Sequence, residues 1–146
     1  MSTGIVLFAH GARDPRWSGT VEGIARRLAV HLPGVPVRPA YLEFMTPDLA
    51  GAIDSLVSQG VGEVVVAPVF LAAGGHLLRD LPALLAAAGN RHPGLSLRAL
   101  PALGGLAPVL DAMALACAEA VAGANPDRAP LQGDVSEGEK KGVDAR

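Results

Sequence analysis

The chain has 146 residues, 50% of them hydrophobic, enough for one core and too few for two. Lys and Arg number 12 against 14 Asp and Glu, a net charge of −2, and no basic stripe runs along the chain for a phosphate backbone, so nucleic acid is excluded as the first expectation. A single cysteine, Cys117, excludes an internal disulfide; with no leader-like start and no apolar stretch of the roughly 20 residues a membrane span needs, a cytoplasmic protein is expected.

Four apolar runs read as strands: GIVLFA (4–9), VPVRPAYLE (35–43), VGEVVVAPVFL (61–71) and LSLRALPAL (95–103). Their continuous Val, Ile and Leu content, without strict alternation, fits strands covered on both faces. A segment of helical period follows each. Asp14 reads as the cap and Pro15 as the first residue of a helix whose inward stripe is Trp17, Val21, Ile24, Leu28 and Leu32. Thr46 and Pro47 open a second, with Leu49, Ile53, Leu56 and Val57 inward and Gly60 as its stop. The third carries Leu77, Leu78, Leu81, Leu84 and Leu85; its Pro82 either sits inside the helix or lies in a first turn capped by Asp80. The fourth has the stripe Leu106, Val109, Leu110, Met113, Cys117 and Val121, on which Cys117 reads as a small buried hydrophobe. From residue 124 the composition changes: this segment holds 9 of the 26 charged residues and few apolar ones, so residues 1–123 are expected to form one domain and 124–146 a disordered charged tail.

Strand and helix alternating four times imply an α/β fold, a four-stranded parallel sheet flanked by helices with right-handed crossovers. For so short a chain the order 2-1-3-4 is expected, which puts the ligand crevice at the carboxyl ends of the strands, at the switch point between strands 1 and 3. His10 follows strand 1, His76 follows strand 3, and Glu43 ends strand 2. Two imidazoles and a carboxylate at one crevice suit metal binding and proton transfer. Without an HExxH, paired CxxC or further histidine at ligand spacing, the pattern predicts an open site rather than a closed structural zinc site. His31 and His92, at the ends of helices, read as cations on the helix dipole. Gly11, Gly74 and Gly75 permit tight turns or expose amides to an anion, and Arg13 and Arg79 are either carboxylate forks or exposed helix-start arginines. HGARDP lacks the GxGxxG spacing and there is no Walker lysine, which argues against a nucleotide.

LFAHGARDPRW, YLEFMTPDLAGAI, VVVAPVFLAAGGHLLRDLPALL and LPALGGLAPVL together resemble the short-form sirohydrochlorin chelatases of the CbiX type, over residues 3–122. The strand 3 segment is the most specific, and Ala12 departs from the family's usual serine. The resemblance implies a three-layer chelatase sandwich and a lyase that inserts a divalent metal into sirohydrochlorin for cobalamin or another modified tetrapyrrole. It assigns metal binding to His10 and His76 and proton removal or metal delivery to Glu43. For a substrate of that kind, Arg13, Arg79 and the Gly74 and Gly75 amides are the groups expected to hold the macrocycle's peripheral carboxylates. Cobalt is the first expectation, with iron or nickel insertion, or a non-catalytic metal or tetrapyrrole carrier, as alternatives. It further implies a homodimer with the macrocycle in its cleft, the metal as substrate and no organic cofactor.

Overall fold

A computed structural model describes residues 2–72 and 74–123; the tail expected from residue 124 lies outside the described residues. The chain divides into two units, residues 1–111 and 112–146. The first holds strands β1 (Thr3–Ala9), β2 (Val37–Tyr41), β3 (Glu63–Pro68) and β4 (Ser96–Ala99), with helices α1 (Ser18–His31), α2 (Leu49–Ser58) and α3 (Gly75–Arg91). The strands form one parallel sheet in the order β2-β1-β3-β4.

Alternation along β1 explains how so short a sheet buries both faces. Val6 and Phe8 pack with Leu49, Ile53 and Leu56 of α2 and Leu77 and Leu81 of α3. Leu7 and Ala9 face the other way, against Val21, Ile24 and Leu28 of α1. The two-residue period of a strand gives the central strand one side chain for each layer in turn. Register places Phe8 opposite Pro68 of β3 and Ala9 opposite Tyr41 of β2, so the three strands end at nearly the same level.

Two helix starts are corrected and the position of Pro82 is decided between its two alternatives. Asp14 does cap, accepting a bond from the Arg16 amide at 3.0 Å, but what it caps is a 3-10 turn over Pro15–Trp17, and α1 starts at Ser18. That turn has three residues per revolution rather than 3.6, which takes Trp17 off the α1 stripe and leaves it 63% exposed. In α2 the cap is Asp48, whose side chain accepts from the Gly51 amide at 2.8 Å, so Thr46 and Pro47 precede the helix. In α3 the helix runs from Gly75 with Pro82 inside it.

A further helix, α4 (Ala107–Ala122), begins in the first unit and continues into the second. Its expected stripe is not buried: Leu110 is 50% and Val121 90% exposed, and Cys117 is exposed rather than core. Alanines at 107, 112, 114, 116, 118, 120 and 122 spread apolar surface around the helix, so no single side is set apart for a core.

The end of α3 is tied to α2 by one carboxylate. Asp54 of α2 takes an ion pair from Arg91 and a bond from His92 Nε2 at 2.6 Å; a carboxylate only accepts, so that nitrogen carries the proton. His92, expected as a dipole cation, is therefore a fastening between helices. The His92 bond, with the Arg91 charge, holds the Asp54 carboxyl below its usual range. A carboxylate depressed in the folded state stabilises above its unfolded pKa of about 3.9, and that contribution is lost as pH falls through the folded value. Asp54→Asn is accordingly expected to cost about 0.5–1 kcal/mol at pH 7, the modest figure reflecting solvent screening of a part-exposed pair. Thermal melts from pH 7 down to 3 should show the wild type losing this advantage as the pH drops below about 4; a constant gap across that range would contradict the assignment.

Candidate functional site

The sheet places the expected residues at its carboxyl edge, each by a different local device. His10 is the first residue beyond β1. Glu43 lies two residues beyond β2, where its amide donates to the His10 carbonyl at 2.9 Å, one rung past the Leu42 to Ala9 bond. The pairing of β1 with β2 thus persists beyond the strands and carries the carboxylate to the imidazole: Glu43 Oε2 stands 3.5 Å from His10 Nε2, with both side chains about half exposed. Gly11 makes the approach possible. It has φ +89°, and a Cβ there would fall 2.0 Å from the Glu43 carbonyl oxygen, inside any van der Waals limit.

Aromatic rings connect this corner to the core. Phe70, two residues beyond β3, meets Phe8 edge-on with centroids 6.2 Å apart and meets the His10 imidazole edge-on at 6.5 Å. Neither Phe70 nor Phe44, which follows Glu43, is among the residues singled out by the sequence. A signal for them does exist: the chain has three phenylalanines in all, and each falls at the carboxyl end of one of the first three strands. Phe44 is 58% exposed, is the one described non-glycine residue with positive φ (+64°), and carries the Arg13 guanidinium 4.8 Å above its ring centroid.

His76 is the second residue of α3, at the end of the neighbouring strand, and is exposed. Among the described residues no hydrogen bond, ion pair or ring contact joins it to His10 or Glu43; the structure brings His10 and Glu43 together but not His76 with them. Gly74 and Gly75 precede it without positive φ, and a Cβ at Gly74 would touch nothing while one at Gly75 would meet only the Arg79 guanidinium at 3.7 Å. No turn or packing demand accounts for these two glycines. Their effect is to leave the first amides of α3 open to an approaching group. Arg79, one turn further on, is exposed.

No group of three or more His, Cys, Asp or Glu able to hold a metal ion is found among the described residues. An ion at His10 would keep most of its water, a state suited to transfer rather than storage. An apolar hollow of about 280 Å³ lies beside α3, between Leu77, Leu81 and Pro82 on one side and Pro68 and Leu100 on the other. One of about 360 Å³ lies at the opposite end of the sheet, by Val57, His92 and Leu95. Both are near the lower bound of ligand pockets, so a large ligand would lie across the open rim around His10 instead of entering either.

Comparison with known proteins identifies the family and the fold. The CbiX family model matches residues 4–120. A sirohydrochlorin cobaltochelatase of Methanothermobacter thermautotrophicus is 36% identical over 85 residues, 56% of this chain and 57% of that one. One from Saccharolobus islandicus is 33% identical over 87 residues, covering 60% and 66% respectively. The matched stretch therefore spans less than two thirds of these relatives. Among solved structures, a cobalamin (vitamin B12) biosynthesis CbiX protein from Marinobacter aquaeolei superposes with a TM-score of 0.72 at 31% identity, over 82% of this chain and 98% of that one. The sirohydrochlorin chelatase SirB of Bacillus subtilis, in complex with cobalt, shares the fold at 22% identity and a TM-score of 0.62, over 69% of this chain and 44% of that one.

Proposed function

Because the chain belongs to the CbiX family, matching its model over residues 4–120, we propose that it is a sirohydrochlorin chelatase that inserts Co²⁺ into the macrocycle. The observation that carries this reading is the His10–Glu43 pair, an imidazole and a carboxylate 3.5 Å apart on an open rim. Insertion exchanges one divalent ion for two pyrrole N–H protons, so the site must offer a ligand to the ion and an acceptor to a proton. Neutral His10 and His76 would take the ion as substrate from the two sides of the strand ends, displacing part of its water. Glu43, 3.5 Å from His10, would favour the approach of a cation and accept one of the two pyrrole protons, the second leaving to water on the open rim. Arg13, Arg79 and the amides at Gly74 and Gly75 suit the macrocycle's peripheral carboxylates.

Cobalt is preferred because the relatives at 33–36% identity are named cobaltochelatases; iron and nickel are the competing metals. The reading also takes residues 1–123 as one chelatase-like domain followed by a charged tail, and the working unit as a cytoplasmic homodimer. Exposed Leu110, Leu115 and Val121 on α4 support a second copy, and no described helix is long and apolar enough to cross a membrane. The test is anaerobic insertion into sirohydrochlorin followed by absorption, with Co²⁺, Fe²⁺ and Ni²⁺ each measured with and without the full chain. Cobalt insertion at least about a hundredfold above the spontaneous rate, and faster than with the other two ions, is the expected outcome. A spontaneous rate with all three, while metal or macrocycle is still bound, would make the protein a carrier.

A further inference from the structure

We propose that Phe44, with Arg13 resting on it, is the platform on which the planar face of the macrocycle stacks; this deepens the chelatase reading and rests on it. Three observations at one residue point there. Phe44 is 58% exposed, so its ring contributes little to the core. Its φ of +64° is a conformation that bulky residues rarely adopt and that glycine or asparagine would hold with less strain. A large apolar side chain kept in water on an unfavourable backbone serves the fold poorly at this position.

The ring's surroundings indicate what it serves. Phe44 directly follows Glu43, the carboxylate beside His10, whose amide bond to the His10 carbonyl at 2.9 Å ties down the backbone one residue before the ring. The Arg13 guanidinium lies 4.8 Å from the ring centroid, in cation–π contact. Arg13 makes no hydrogen bond or ion pair with any described residue, so its donors remain free while its position is set by the ring. An aromatic face beside a pre-placed, unsatisfied guanidinium matches a flat conjugated ring bearing carboxylates on its edge: the ring stacks, and the fork takes a carboxylate. Neither group reaches a reacting atom in this arrangement. Phe44 is a positioning residue that lays the pyrrole nitrogens over His10.

The experiment titrates metal-free sirohydrochlorin into the full chain, read by macrocycle fluorescence, for wild type, Phe44→Gly, Phe44→Tyr and Trp17→Ala. Glycine suits φ +64°, so Phe44→Gly removes the ring without burdening the fold. Its Kd and its KM for the macrocycle are expected to rise about tenfold, as the loss of one stacked aromatic implies, with a smaller change in kcat. Phe44→Tyr keeps the face and should bind within about twofold of wild type. Trp17, also exposed but on the 3-10 turn before α1, serves as the control, and its loss should leave the Kd unchanged. Wild-type binding that is equally strong in Phe44→Gly would overturn the platform while leaving the chelatase reading intact. A wild type that binds no sirohydrochlorin would overturn both.

Discussion

His10→Ala and His76→Ala are each expected to bring cobalt insertion down to the spontaneous rate, a loss of at least about a hundredfold, without changing the circular dichroism. His10 is about half exposed and His76 lies on the surface of the first turn of α3, so truncating either removes little packing and should shift stability by no more than about 0.5 kcal/mol. If the two act on the same ion, their losses do not add, and the double variant is no slower than either single one. Two other histidines make the comparison specific. His31→Ala, at the exposed end of α1, should be near wild type in rate and melting temperature. His92→Ala should melt lower, because it breaks the bond to Asp54, yet insert cobalt normally. Equal loss of activity in all four variants would remove the basis for assigning the ion to His10 and His76.

Gly11→Ala is expected to be strongly damaging to both stability and activity. The new Cβ, fixed rigidly to its Cα, would lie 2.0 Å from the backbone carbonyl oxygen of Glu43, so no flexible side chain can yield. The residue also has φ +89°, where alanine is strained irrespective of space. Strain and overpacking together suggest a loss of about 2–4 kcal/mol. The loops must separate, and with them goes the Glu43 to His10 backbone bond that holds the carboxylate beside the imidazole. Activity should therefore fall at least as far as in Glu43→Gln, even at temperatures where the variant is fully folded. Denaturant melts together with insertion rates at 15 °C check both parts. A stable variant with wild-type activity would show that the two loops are free to part without consequence.

The layers of this fold were readable because β1 is written for them. Continuous Val, Leu and Phe can only be a strand with two covered faces, and four such runs alternating with helical segments admit few topologies. His10 and Glu43 followed from that topology, since each is a polar residue standing where an apolar run stops. The starts of the helices were less readable. Thr46 and Asp48 are both capping types either side of Pro47, and only the geometry of the Tyr41 to Pro47 backbone bond decides that the helix waits for Asp48. In α4 the spacing of Leu110, Met113 and Val121 suggested an inward face, while the alanines between them make every side almost equally apolar. Phe44 had only the spacing of the three phenylalanines to mark it, and its backbone conformation was not legible at all. The residue before it is bonded to His10, 33 positions earlier than Glu43, and no local propensity records such a pairing.

The ring of Phe70, between Phe8 and His10, joins a fully buried part of the core to the rim that carries His10 and Glu43. Phe8 is 1% exposed and sits among the residues that hold α2 and α3 to the sheet. Any repacking there is passed through one aromatic contact to the His10 imidazole, the group that the proposed function has meet the incoming ion. Selection on this protein therefore cannot treat robustness and chemistry as separate traits at that corner. A thermostabilised descendant should acquire its substitutions on the Asp54 side of the sheet and keep the three phenylalanines unchanged.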